Sequence, residues 1–154
     1  MVNVVQKTTV TMRLAGTCPS HARTDVSVRD VKGIVDEPVE RGGTNQGLTP
    51  TETLMAALMG CTNVILSRIA DKAGVPVEGL TVDVEAQFDR RGTMLMEDVR
   101  VPFPDVKLKV AFRTTADDAT VGQLRADLAK FCPISKILRE AGTRIEEIWT
   151  VPRG

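Results

Sequence analysis

The chain has 154 residues, of which 42% are apolar, a size and composition that predict one soluble domain covering residues 1–154. Twenty Lys and Arg balance twenty Asp and Glu, and aromatic residues make up 3%, which argues against nucleic-acid and membrane partners. Three cysteines and one histidine without a C-x-x-C motif build no zinc site, so we expect no cofactor and a cytoplasmic protein whose cysteines stay reduced.

Strand patterns fill the first part of the chain. Apolar side chains alternate over residues 4–14, which predicts a first strand. A similar pattern over residues 21–30 predicts a second strand, and a Lys-Gly turn then leads to a third strand at residues 34–36. The three segments together predict a meander.

A polar loop with three glycines occupies residues 40–49 and ends at a helix start. Thr49, Pro50 and Glu52 match a capping box, in which the threonine hydroxyl and the glutamate carboxylate each accept a backbone N–H of the other. The loop has Leu48 where a phosphate-binding loop needs a lysine. A flexible connection is therefore favoured over a phosphate cradle.

Apolar residues fill most faces of the helix that starts at Pro50, which predicts a mostly buried helix ending near Gly74. Strand and helix patterns follow it. They predict paired antiparallel strands at residues 80–88 and 106–112, an amphipathic helix at 117–131, a short helix at 134–141 after Pro133, and a last strand at 145–151. These elements together predict an α+β fold.

Two of the three cysteines lie where thiol chemistry is conceivable. Cys61 lies in the middle of the apolar helix, where plain packing is the favoured interpretation. Cys132 precedes Pro133, which predicts that it caps the third helix, and helix N-termini stabilise thiolates. A redox pair and two packed thiols therefore both stay open, while Cys18 lies in a turn and is interpreted as incidental.

Glu52 lies nine residues before Cys61 on the same predicted helix. At about 100° and 1.5 Å per residue, the two side chains point to opposite sides of that helix, about 13 Å apart along its axis. Glu52 therefore acts only as the capping-box partner, or it acts on a cysteine of another subunit. The second alternative predicts an active site across a dimer interface.

Residues 42–61 resemble the glycine loop and the P-x-E-x-L-x-x-A-L-x-x-C helix of the OsmC-like and organic hydroperoxide resistance proteins. Residues 131–138 are similar to the C-P-[IV]-S-x-x-L motif of the same family, and the chain looks closer to its OsmC-like branch. The resemblance implies an OsmC-like α+β fold. In that fold, antiparallel sheets pack on a long buried central helix, and two chains form an intertwined homodimer.

The resemblance also implies a thiol-dependent peroxidase that reduces organic hydroperoxides. Cys61 would be the peroxidatic thiol and Cys132 the resolving thiol, with Glu52 and an arginine completing the site from the neighbouring subunit. The arginine turn of the family differs here; Arg23 is the best candidate by position, and Arg41 is the second.

An external dithiol, either a lipoylated protein or a small thiol, would reopen the resulting disulfide. Two other functions stay open. The chain is also compatible with a non-catalytic dimer that binds a small apolar ligand, or with a thiol redox sensor that oxidises once.

Overall fold

The computed structural model describes residues 8–153. They divide at Thr53 and Leu54 into two compact units. Each unit has its own three-stranded sheet, and a helix that starts in the first unit supplies core residues to the second. The α+β class is confirmed, and the single domain over residues 1–154 stays a prediction.

The first unit is a meander, as predicted. Its strands are β1 (Ala15–Thr17), β2 (Arg23–Val28) and β3 (Val31–Asp36), paired antiparallel in the order β1-β2-β3, and a short 3-10 helix (Val39–Arg41) follows them. The turn between β2 and β3 lies three residues earlier than the predicted Lys32-Gly33 turn. Val28 pairs with Val31, so Arg29 enters the turn with φ of 54°, while Gly33 lies inside β3 opposite Val26.

The first predicted strand is wrong in its position. Residues 4–7 lie outside the described part of the chain, and residues 8–14 have no regular structure; β1 begins only at Ala15. The alternating apolar side chains of this segment are exposed: Val10 by 74%, Met12 by 81% and Leu14 by 63%. A strand pattern forms a strand only where a neighbour accepts its hydrogen bonds, and β2 offers partners to residues 15–17 alone.

The helix α1 spans Pro50–Ala73 and begins and ends where the sequence predicts. It is less buried than predicted, because the sheet and helices of the second unit cover only one stripe of it. The fully buried residues recur every four positions: Leu58, Thr62, Leu66 and Ala70. By length and composition alone the helix could cross a membrane, but its buried stripe belongs to the main core, as in the core helix of a water-soluble protein.

The second unit contains the other elements: β4 (Glu78–Ala86), β5 (Asp105–Arg113), α2 (Asp118–Phe131), α3 (Pro133–Glu140) and β6 (Arg144–Thr150). β4 and β5 pair antiparallel, as predicted. β6 pairs parallel to β5, which strand patterns alone do not reveal. The buried side chains of α1, β5 and α2 form one core, and Cys132 belongs to it.

Side-chain contacts within residues 87–104 hold the connection from β4 to β5 in place. The rings of Phe88 and Phe103 stack with centroids 5.0 Å apart. Arg91 forms an ion pair with Asp89 at 2.5 Å and a second ion pair with Glu97. The hydrogen bonds from Arg91 lower the pKa of Asp89 to about 2.

Candidate functional site

Cys132 is fixed by two helices. It is the C-cap residue of α2 and the N-cap residue of α3. Its extended backbone angles (φ −73°, ψ 109°) suit a residue before proline. Its N–H donates to the Leu128 carbonyl at 2.9 Å, and its carbonyl accepts from the Lys136 N–H at 3.1 Å. The Ser135 hydroxyl donates to the same carbonyl at 3.2 Å. The predicted cap position of Cys132 is confirmed.

Cys61 lies on α1 and meets Cys132 across the core of the second unit. The two sulfur atoms are 3.2 Å apart, with the Cys132 thiol as the donor, and both cysteines are free. A disulfide bond is about 2.05 Å long, so a shift of little more than 1 Å would join them. Cys18 is exposed in the first unit.

Burial governs the acidity of Cys61. The thiol is half-buried, and its pKa is raised above the ordinary value mainly because burial disfavours the thiolate. A hydrogen bond from the Ile134 backbone N–H, in the first turn of α3, acts in the opposite direction. The start of α3 therefore stabilises the thiolate of Cys61, whereas Cys132, which the sequence placed there, makes no side-chain cap bond.

Glu52 is engaged as the predicted capping box. Its carboxylate accepts from the Thr49 N–H at 2.8 Å, and its own N–H donates to the Thr49 hydroxyl at 3.2 Å. Hydrogen bonds from Thr49, first of all from its N–H, lower the pKa of the exposed Glu52 carboxyl, and the charge of Arg41 adds to the effect. The carboxylate is thus ionised at neutral pH.

The two candidate arginines have different partners. Arg23 lies on β2 with Nε 2.6 Å from Asp25 and Nη1 2.8 Å from the side-chain oxygen of Gln46. Arg41 forms an ion pair with Glu37 at 2.6 Å and is 56% exposed. Among residues 8–153, neither guanidinium donates a hydrogen bond to Glu52.

The glycine loop binds a carboxylate of its own chain, Asp36, which sequence reasoning missed. Asp36 ends β3 and is fully buried. It accepts from the Thr44 hydroxyl at 2.5 Å and from the N–H groups of Thr44 and Gln46 at 3.0 and 3.1 Å. The bond from the Thr44 hydroxyl is the main reason that the pKa of Asp36 is lowered despite its burial. The loop amides that a phosphate would need are therefore already occupied.

A cavity of about 500 Å³ lies over the small sheet of the first unit. Arg23, Asp25 and Lys32 line it together with small and apolar residues of all three strands. The guanidinium of Arg23 is thus held at the wall of an open space.

A family model described as OsmC-like protein matches residues 43–147. Among solved structures, an OsmC-like protein from Mycoplasma pneumoniae is 12% identical, with 92% of this chain and 97% of that chain covered and a TM-score of 0.77. An organic hydroperoxide resistance protein OsmC from Legionella pneumophila is 15% identical, with 94% and 98% covered and a TM-score of 0.62.

An OsmC-like protein of unknown function from Vibrio cholerae is 13% identical, with 94% and 100% covered and a TM-score of 0.68. None of the curated protein sequences matches. At these identities the structural likeness confirms the predicted fold and nothing beyond it.

Proposed function

The chain belongs to the OsmC-like protein family, and on this basis we propose that it is a thiol peroxidase that reduces organic hydroperoxides. The observation that carries the proposal is the pair of free thiols, Cys61 and Cys132, whose sulfur atoms are 3.2 Å apart. One thiol is half-buried and the other is fully buried in an apolar core. The name of the Legionella pneumophila structure adds support, because that protein has the same fold.

In the first step the Cys61 thiolate attacks the terminal oxygen of a hydroperoxide. A sulfur–oxygen bond forms and the oxygen–oxygen bond breaks, so that sulfur loses two electrons and the substrate leaves as an alcohol once it has taken up a proton. Cys61 becomes a sulfenic acid. The hydrogen bond from the Ile134 N–H favours the thiolate that this step needs.

In the second step the Cys132 thiol attacks the sulfenic sulfur. A disulfide forms and the hydroxyl leaves as water. The Cys132 sulfur already lies 3.2 Å from that of Cys61, and the Cys132 backbone is held by α2 and α3. An external dithiol then reduces the disulfide and is itself oxidised, and a lipoylated protein or a small dithiol has the required chemistry. Such a cycle suits a reducing, cytoplasmic compartment.

The raised pKa of Cys61 calls for a cation beside the thiolate. We propose that Arg23 supplies it from a neighbouring subunit, and that Glu52 of that subunit belongs to the same site. Arg23 is held at Nε and Nη1 by its own subunit. Arg41 is the second candidate, and its influence on the pKa of Glu52 is what favours it.

A homodimer accounts for the apolar surface of a single chain. The side chains of Val10, Met12 and Leu14 are exposed on a segment that leads into β1. On α1, Val64 is exposed by 46%, close to Cys61 in sequence. Exposed apolar rows of this kind mark contacts with another chain, and a second copy would cover both.

Intact-mass measurement after one equivalent of cumene hydroperoxide tests the cysteine assignment. The wild type is expected to lose two hydrogens, and Cys132→Ser is expected to gain one oxygen. Cys61→Ser is expected to stay unchanged in mass, with Cys18→Ser behaving as wild type. Consumption of hydroperoxide by Cys61→Ser at the wild-type rate would contradict the proposal.

Turnover separates the proposal from its two alternatives. With excess dithiol, a peroxidase consumes many equivalents of hydroperoxide per chain, because the disulfide is reopened in each cycle. A thiol redox sensor would consume one equivalent, and a ligand-binding dimer would consume none. Dihydrolipoamide and a monothiol such as glutathione, compared at equal thiol concentration, test the preference for a dithiol.

A further inference from the structure

Arg23 is held from two sides, and only one of them belongs to its own strand. Asp25, two residues later on β2, accepts from Nε at 2.6 Å. Gln46, in the glycine loop, accepts from Nη1 at 2.8 Å, and the Thr44 hydroxyl lies 3.4 Å from the same nitrogen. Within the described residues no group accepts from Nη2. The guanidinium therefore has a fixed plane and one free edge.

The loop side of this clamp depends on Asp36. Its buried carboxylate accepts from the backbone N–H groups of Thr44 and Gln46 and from the Thr44 hydroxyl. These are the two residues whose side chains contact Arg23. Asp36 thus fixes the backbone from which both acceptors reach the guanidinium.

Two glycines allow the loop to lie this close to β3. A Cβ at Gly43 would collide with the Glu37 carbonyl and lie 2.8 Å from Asp36 Oδ1. A Cβ at Gly47 would collide with the carbonyl of Ile34. The loop therefore rests directly on the strand backbone, and a small movement of residues 43–47 would move the Gln46 and Thr44 side chains relative to β2.

We propose that Asp36 is a positioning residue for Arg23, which it orients through Thr44 and Gln46 so that the free edge of the guanidinium faces the peroxidatic thiolate of the neighbouring subunit. This inference rests on the proposed function, in which Arg23 stabilises the Cys61 thiolate. Asp36 touches neither the thiol nor the substrate in this assignment. Its effect on the reaction is transmitted through the loop.

The test measures the Cys61 thiolate in a Cys18→Ser, Cys132→Ser background, where alkylation reports this thiol alone. The pH midpoint of alkylation is measured for the background and for Arg23→Ala, Gln46→Ala and Asp36→Asn added to it. Gln46→Ala removes one acceptor of Arg23 but keeps the backbone bond to Asp36. Asn45→Gly is the matched control, because Asn45 has a positive φ of 55°, which glycine adopts, and its side chain bonds no described residue.

We expect the midpoint to rise by about 1 pH unit in Gln46→Ala and Asp36→Asn, because an opposite charge at contact distance shifts a pKa by about 1 to 3 units. Arg23→Ala is expected to raise it at least as much, and Asn45→Gly to leave it unchanged. In the same Cys132→Ser background, the rate constant for hydroperoxide at pH 7 should fall about tenfold with each upward unit. A structural role of Asp36 that does not act through Arg23 would leave the midpoint in place.

The possible results distinguish a failure of the role of Asp36 from a failure of the proposed role of Arg23. An unshifted midpoint in Arg23→Ala overturns both the proposed role of that arginine and the role of Asp36. A shift in Arg23→Ala with none in Gln46→Ala and Asp36→Asn overturns the role of Asp36 alone. Should Asp36→Asn fail to fold, Gln46→Ala decides the question, since its side chain is exposed and the buried carboxylate stays intact.

Discussion

Replacement of Gly43 by alanine should destabilise the first unit through a single steric contact. Gly43 does not have the positive φ of its neighbour Gly42, so its backbone conformation suits alanine. The obstacle is space, because the new Cβ would overlap the Glu37 carbonyl and lie 2.8 Å from Asp36 Oδ1. The loop must lift from β3 to relieve the overlap.

The size of the effect follows from what the lift would break. Overpacking against a backbone that cannot yield costs about 1 to 3 kcal/mol. Hydrogen bonds to a charged group are each worth about 1.5 to 3 kcal/mol, and Asp36 accepts three from Thr44 and Gln46. Partial loss of these bonds brings the expected destabilisation to about 3 to 5 kcal/mol, a large share of the total stability of an ordinary domain.

Gly122→Ala is the matched control. Gly122 lies inside α2 with nothing within 4 Å of its added Cβ, and alanine in a helix is about 0.5 to 1 kcal/mol more stable than glycine. The same chemical change is therefore expected to have opposite signs at the two positions.

Urea unfolding followed by far-ultraviolet circular dichroism measures both variants, and hydrogen exchange of the peptide covering residues 36–48 reports on the loop itself. We expect faster exchange of the Thr44 and Gln46 amides in Gly43→Ala, and wild-type exchange in Gly122→Ala. A Gly43→Ala protein as stable as the wild type, with slow exchange at these amides, would refute the reasoning that the loop is clamped onto β3.

Three further predictions concern ionisable groups. Glu52→Ala and Cys61→Ser chains, each inactive alone, are expected to regain up to about a quarter of the wild-type activity when co-refolded, because half of the dimers would carry one complete site; verified heterodimers without activity would contradict a role of Glu52 in trans. Burial raises the pKa of Cys61 in the folded chain. The protonated thiol therefore contributes its full stabilisation below the pKa of the unfolded chain, about 8.5, and this contribution is lost as the pH rises further. Cys61→Ser should make the alkaline decline of the free energy of unfolding shallower in urea titrations. The pKa of Asp89 is about 2, so its stabilising effect is present above the unfolded value of about 3.9 and lost as the pH falls towards 2; Asp89→Asn should show a shallower loss of stability over that interval, and an unchanged slope would count against the ion pair with Arg91.

The features that sequence predicts correctly depend on neighbours along the chain. The capping box fixes the start of α1 because Thr49 and Glu52 are three residues apart and need no other element. The cap position of Cys132 follows from Pro133 in the same way. Each of these patterns contains both partners of the interaction that it predicts.

The features that sequence misses depend on partners far away in the chain. Nothing in the pattern of β3 distinguishes Asp36 from an ordinary polar residue at a strand end, since its partners lie eight and ten residues later in an irregular loop. The effect of the Ile134 N–H on the pKa of Cys61 likewise joins residues of two helices that are far apart in the chain. Alternation in residues 8–14 indicated a strand, but a strand also needs a partner that periodicity does not reveal.

The two core cysteines are 71 residues apart in sequence, so a bond between them would close a long loop that includes β4, β5 and α2. In the chain-entropy account, a cross-link of this length removes enough disorder from the unfolded chain to stabilise the fold by about 4 kcal/mol. The same free energy, viewed in the other direction, is the amount by which folding favours the oxidised pair over two separate thiols. The oxidised protein should therefore melt at a higher temperature than the reduced protein. A reductant must also supply the free energy by which the folded chain favours the disulfide.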